Sequence, residues 1–165
     1  MMANNQSVKE TPEELRHTDE QHNQEITHKK EKHTQKTVKL IIKRQDNQEA
    51  KAYEETFEIP YKENLNVIAC LMEIRRNPVN SKGEKTTPVV WDMNCLEEVC
   101  GACSMVINGR ARQACSAIVD QLEQPIRLEP MSTFPVIRDL QVDRTRMFDN
   151  LKRMKAWIPI DGTYD

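Results

Sequence analysis

The stretch NCLEEVCGACSMVINGRARQAC, residues 94–115, holds four of the five cysteines in the chain. Their spacing is Cys95-x4-Cys100-x2-Cys103-x11-Cys115. Thiolates are soft anionic ligands, and four so close together suit metal or cluster ligation better than acid-base chemistry. Three of them fall within nine residues and are expected to wrap one side of a small cluster. A tight turn at Asn108-Gly109, where both positions tolerate positive φ, then returns the fourth to the other side.

The C-x4-C-x2-C opening matches plant-type 2Fe-2S ligation, with the last cysteine much closer in sequence than that pattern has it. An oxidised cluster of this kind is a dianion, and reduction adds a further negative charge that the protein must stabilise. Gly101 and Ala102 are small, which is expected to let backbone N–H groups approach the sulfurs and favour the reduced form. A bulky residue at Gly101 should therefore damage the site without removing a ligand. A structural zinc site would usually show two C-x2-C knuckles, and only one is present. Disulfides do not suit a reducing compartment. Cys70, the remaining cysteine, lies between Val67 and Ile74 at helical spacing and reads as a small buried hydrophobe. Glu97 and Glu98 read as a solvated rim, because moving electrons through thiolates needs no proton carrier.

Local elements must bring these thiols together. In TVKLIIKR, Val38, Leu40 and Ile42 alternate as in a strand, and YEETFEI places Tyr53, Phe57 and Ile59 on one face of a second strand ended by Pro60. Leu65, Ile68, Leu71 and Met72 recur at helical spacing, with Asn64 or Asn66 as N-cap and Pro78 as the stop. Pro88–Asp92 is expected to form a short strand into the cysteine loop and SMVI a strand out of it. PIRLEP reads as a further strand and FPVIRDLQVD as an extended segment. RTRMFDNLKRMKAW reads as a helix whose Met147, Phe148, Leu151 and Met154 form one apolar stripe, the pattern of a core or subunit contact.

Residues 1–36 are nearly devoid of apolar side chains and are expected to be a disordered polar arm. The arm contains all four histidines, His17, His22, His28 and His33, whose spacing fixes no coordination geometry. With 24 Lys and Arg against 26 Asp and Glu the net charge is −2, which argues against nucleic acid as a partner. No run approaches the roughly 18 apolar residues of a membrane span. The first twenty residues have no apolar stretch, so no secretory signal is expected and the chain is placed in the cytoplasm.

WDMNCLEEVCGACSMVINGRARQAC, together with FPVIRDLQVDRTRMFDNLKRMKAWIP, resembles the N-terminal ferredoxin domain of the iron-sulfur subunit of succinate dehydrogenase and fumarate reductase. IRRNPVN and GEKTTPVVWDMNC resemble the Gram-positive type. The resemblance covers residues 37–165 and implies an α+β fold, a β-grasp ferredoxin-like 2Fe-2S domain at 37–143, followed by a helix and linker at 144–165. It matches Cys95, Cys100, Cys103 and Cys115 to the four cluster ligands; the third is an aspartate in some relatives, and here it is Cys103. It further implies single-electron transfer from the FAD of a flavoprotein subunit, where succinate is oxidised to fumarate, toward quinone in a cytochrome b-type membrane anchor. The complex would sit on the inner face of the cell membrane. Family members continue into a helical domain whose C-x2-C-x2-C-x3-C-P runs hold 4Fe-4S and 3Fe-4S clusters. No such run is present here, so the chain is expected to be a fragment, a truncated frame or a one-cluster derivative, and the apolar Trp157, Ile158 and Ile160 favour a fragment. Two competing readings are the 2Fe-2S small subunit of a molybdenum hydroxylase, which also has C-x4-C-G-x-C but four further cysteines, and a non-redox cluster-binding interaction protein.

Overall fold

The computed structural model describes residues 36–156. The polar arm and the Trp157, Ile158 and Ile160 patch lie outside them.

Strand β1 (Thr37–Arg44) buries alternate residues, Val38, Leu40, Ile42 and then Arg44. It pairs antiparallel with β2 (Tyr53–Pro60) along its whole length, from Thr37 opposite Pro60 to Arg44 opposite Tyr53. A one-residue slip would turn the whole apolar stripe to solvent, so the core fixes this register. Phe57 and Ile59 of β2 are buried as expected, but Tyr53, at the turn end of the β1–β2 hairpin, is 44% exposed.

Helix α1 (Val67–Arg76) crosses under the sheet. Asn66 caps it, its Oδ1 accepting from Ala69 N at 2.8 Å. The buried face is Val67, Ile68, Cys70, Leu71 and Ile74. Ile68 and Leu71 are buried as expected and Leu65, before the helix, packs partly buried against the core, whereas Met72 is half-exposed. The helix closes at Asn77, just before Pro78.

Pro88–Asp92 is not a strand. It runs extended, with Val89 and Trp91 buried, but Val90 N donates to the Asp139 carboxylate and Val90 O accepts from Leu140 N. A side chain takes one of the places a neighbouring backbone would fill, so no ladder propagates.

Strands β3 (Ser104–Ile107) and β4 (Arg110–Gln113) form the hairpin expected from Asn108-Gly109, whose φ values are 48° and 77°. After a single 3-10 turn at Val119–Gln121, β5 (Ile126–Glu129) inserts between β1, parallel, and β3, antiparallel. The five-stranded order is β2-β1-β5-β3-β4. This mixed sheet over one main helix is the expected α+β, β-grasp arrangement. Asn108 ties the hairpin to β5: its Oδ1 accepts from Arg127 N at 2.7 Å and its Nδ2 donates to Glu123 O at 2.8 Å.

The FPVIRDLQVD segment folds back on itself as β6 (Val136–Arg138) and β7 (Gln141–Val142) about an Asp139-Leu140 turn, with Asp139 at φ 49°. Helix α2 (Thr145–Arg153) follows. Its apolar stripe is not core: Met147, Phe148, Leu151 and Met154 are all exposed.

Candidate functional site

The cysteine loop curls on itself because three of its residues take left-handed backbone: Leu96 (φ 63°), Glu98 (φ 59°) and Gly101 (φ 71°). Alternating left- and right-handed residues turn successive N–H groups inward and make an anion-binding concavity. The thiols receive those donors. Cys95 Sγ accepts from Glu97 N and Cys100 N, both at 3.4 Å, and Cys100 Sγ from Ala102 N at 3.4 Å. The Cys95 thiol is accordingly lowered to about 7, first by the Glu97 N–H, then by those of Cys100 and Val99 and by the Cys100 side chain.

Cys103 and Cys115 form the inner half of the site. Cys103 leads into β3 and Cys115 follows β4, so pairing of Ser104 with Gln113 sets the two close, with Ala114 N donating to Cys103 O at 3.2 Å. Both are buried, whereas Cys95 is partly buried and Cys100 exposed. Burial pushes the Cys115 thiol up, helped by its hydrogen bond with the Cys103 thiol, while the Glu98 N–H opposes the shift. Cys95 and Cys100 thus meet in the loop, and Cys103 and Cys115 at the base of the hairpin. The hairpin dictates the latter, since it places the fourth cysteine beside the third.

Gly101 takes a left-handed backbone conformation, φ 71°. A Cβ built there meets no other protein atom closer than Ser104 Oγ at 3.8 Å, so within the protein itself the positive φ is what favours glycine. Ala102 carries an N–H contact to sulfur. Glu98 is more than a solvated rim: its carboxylate accepts from Ser116 Oγ at 2.7 Å and its carbonyl from Gln113 Nε2 at 3.4 Å, bracing the loop against the end of β4. Cys70 is fully buried, away from this machinery, and burial pushes its thiol up to about 12.

Two arginines were missed in the sequence. Arg144 donates to Gly101 O and Ala102 O, both at 2.9 Å, and to Ser104 O at 3.5 Å, gathering the carbonyls on the outer side of the loop. Nothing in its spacing separates it from Arg146. Arg44 is fully buried and donates through Nε to Asp139 Oδ1 at 2.8 Å and through Nη2 to Thr87 O and Oγ1. Glu55 pairs with its Nη1. Burial alone would lower this guanidinium; the Asp139 carboxylate and then other neighbours, Glu55 among them, outweigh it and leave it above its ordinary value. Here the sequence did carry a signal, because Arg44 continues the inward alternation of Val38, Leu40 and Ile42.

Two thiols that accept inward N–H groups, with Cys115 set beside Cys103 by the hairpin, suit a compact polyanion bound through sulfur. Together with the mixed sheet and hairpin, this defines a ferredoxin-like iron-sulfur protein. A family described as a 2Fe-2S iron-sulfur cluster binding domain matches residues 39–149, and the chain belongs to that family. It is 76% identical over 131 residues to the succinate dehydrogenase iron-sulfur subunit of Bacillus subtilis (strain 168), covering 79% of this chain and 52% of that protein. It is 31% identical over 106 residues to the corresponding subunit of Coxiella burnetii, covering 63% of this chain and 45% of the other. The solved Mycobacterium smegmatis Sdh1 complex in the apo form has a chain with the same fold, at a TM-score of 0.60 and 23% identity over 79% of this chain and 52% of that one. The chain therefore spans about half the length of the curated relatives it matches.

Proposed function

We propose that this chain carries the 2Fe-2S domain of a succinate dehydrogenase iron-sulfur subunit, with residues 37–143 as that domain and Cys95, Cys100, Cys103 and Cys115 as the cluster ligands. The observation that carries the reading is the gathering of these four thiols by a donor-lined loop and the hairpin, in a chain so similar to one such subunit. When bound, a 2Fe-2S cluster takes up and releases one electron at a time. The inner pair, Cys103 and Cys115, anchors it to the sheet, while Cys95 and Cys100 hold its outer side near solvent. The inward N–H groups stabilise added negative charge. Met93, Leu96 and Val99 expose apolar surface around the outer pair, Val99 by 80%, which suits a partner seated over the loop.

On this reading the donor is the FAD of a flavoprotein subunit, and electrons leave toward quinone in a cytochrome b-type anchor by way of 4Fe-4S and 3Fe-4S clusters held elsewhere. The complex sits on the inner face of the membrane on this reading; among the described residues no helix is long and apolar enough to cross a membrane.

Iron and acid-labile sulfide on anaerobically purified protein test the reading directly. About two of each per chain are expected, and Cys115→Ala should lose both. Zinc, or no labile sulfide, would overturn it. Copurification with a succinate dehydrogenase flavoprotein subunit, and reduction of the cluster by succinate only in that complex, would establish the electron donor.

A further inference from the structure

Arg144 is the charged side chain that joins helix α2 to the cysteine loop. It is the N-cap residue of α2: its carbonyl accepts from Met147 N at 2.9 Å, while its side chain makes no capping bond. The Asp143 side chain serves the helix start instead, its Oδ1 accepting from Thr145 N at 2.8 Å. The guanidinium is therefore free to turn to the loop, where it meets the carbonyls of Gly101 and Ala102 at 2.9 Å each and that of Ser104 at 3.5 Å.

The Gly101 carbonyl shares its peptide with the Ala102 N–H, which donates to Cys100 Sγ at 3.4 Å. In a peptide the N–H and C=O point in opposite directions, so holding the carbonyls outward holds neighbouring N–H groups inward. Arginine suits this task because its planar fork can serve several acceptors at once and stays charged throughout. Its half-buried position weakens solvent screening of that charge.

Resting on the cluster reading above, we propose that Arg144 is a positioning residue that locks the Gly101, Ala102 and Ser104 carbonyls outward and raises the reduction potential of the cluster held by the loop. Its removal is felt in two ways. The loop loses its outer brace, and the added electron loses a nearby positive charge.

The test compares Arg144→Gln, Arg144→Lys and Arg146→Gln in the whole chain. Arg146 supplies a control of equal charge: it lies over the Phe134 ring and donates to Thr133 O, not to the cysteine loop. Redox titration of the anaerobic protein, read by visible absorption and by the electron paramagnetic resonance of the reduced state, gives the midpoint for each. Arg144→Gln should weaken reduction about tenfold, a fall of about 59 mV for a one-electron couple, with altered g-values. Arg146→Gln should shift the midpoint by less than a third of that. Arg144→Lys keeps the charge without the fork and should recover most of the potential. A loaded Arg144→Gln protein with the wild-type midpoint and spectrum would overturn the proposal, as would an equal shift in Arg146→Gln. Should Arg144→Gln fail to load, recovery of loading by Arg144→Lys supports the proposal and equal failure of both overturns it. Failure of the cluster reading itself is distinguishable, because wild-type protein would then lack labile sulfide before any variant is compared.

Discussion

Replacing Asp139 with Asn should be among the most damaging single-atom changes in the domain. Its carboxylate is fully buried and takes three donors: Arg44 Nε at 2.8 Å, Gln45 N at 3.1 Å and Val90 N at 3.0 Å. The first two converge on Oδ1 and the third on Oδ2, so an amide has one oxygen where two are needed. Whichever way it turns, an NH2 group faces a buried donor, at a cost of about 1–3 kcal/mol for the orphaned group. Arg44, fully buried, also keeps only Glu55 as an anionic partner. Breaking such a pair from one side typically costs about 3–5 kcal/mol. Asn tolerates the left-handed φ of 49°, so backbone strain adds little, whereas Asp139→Ala would add about 1–2 kcal/mol for that conformation. Urea unfolding of the whole chain, followed by far-ultraviolet circular dichroism, measures the loss. Adding Arg44→Met to Asp139→Asn should cost less than the two single changes together, because the uncompensated cation is gone. A loss below about 1 kcal/mol for Asp139→Asn, or strict additivity in the double variant, would refute this account of the buried pair.

Gly101→Ala should cost about 1 kcal/mol through the positive φ alone; Gly101→Asn should lose less, and since a Cβ finds room there, iron content should stay near wild type in both. A large loss of iron in Gly101→Ala would mean that close approach, not backbone conformation, selects glycine. Cys103→Asp should retain a cluster with a shifted potential, and loss of visible absorption in a well-folded variant would defeat that expectation. In cluster-free protein, iodoacetamide should modify Cys95 with half-maximal rate near pH 7, since its thiol is lowered to about 7, while Cys70 at about 12 stays unreactive until the chain unfolds. The signs for stability are opposite. The depressed Cys95 contributes stability that is present above its unfolded pKa and lost as pH falls through about 7. The raised Cys70 contributes stability that is full below an unfolded thiol value of about 8.5 and is lost as pH climbs toward 12. Urea midpoints of wild type and Cys70→Ala should therefore converge as pH rises through that alkaline window, and parallel profiles would exclude Cys70 as a contributor.

Strands β1 and β2, helix α1 and the Asn108-Gly109 hairpin were legible because their information is local: alternation, a cap, a stop and a turn that needs positive φ. The spacing that singles out Cys95, Cys100, Cys103 and Cys115 is local as well. What escaped was long-range and polar. Asp139 lies 49 residues from Val90, yet its carboxylate holds the segment that enters the cysteine loop, and this is why Pro88–Asp92 is extended without being a strand. FPVIRDLQVD read as an extended run because Asp139 is the one turn-favouring residue between Val136 and Val142; the buried ion pair with Arg44 adds to that propensity and holds the turn there.

The same residues connect the fold to the site. Asp139 grips β1 through Arg44 and Gln45 on one side and Val90 on the other, and Leu140 N donates to Val90 O at 3.1 Å. Only a few residues separate Val90 from Cys95 at the loop's entry and Asp139 from Arg144 at its outer brace. A shift of the Asp139 turn would therefore move both supports of the loop together, while the hairpin that carries Cys103 and Cys115 stayed anchored to β5. The outer pair of thiols would be displaced against the inner pair. Loss of iron from Asp139→Asn should accordingly begin before the sheet unfolds, with labile sulfide lost at a lower urea concentration than the circular dichroism signal of the strands. Coincident loss of both signals would mean that loop and sheet are one cooperative unit and that the buried pair supports the site only through global stability.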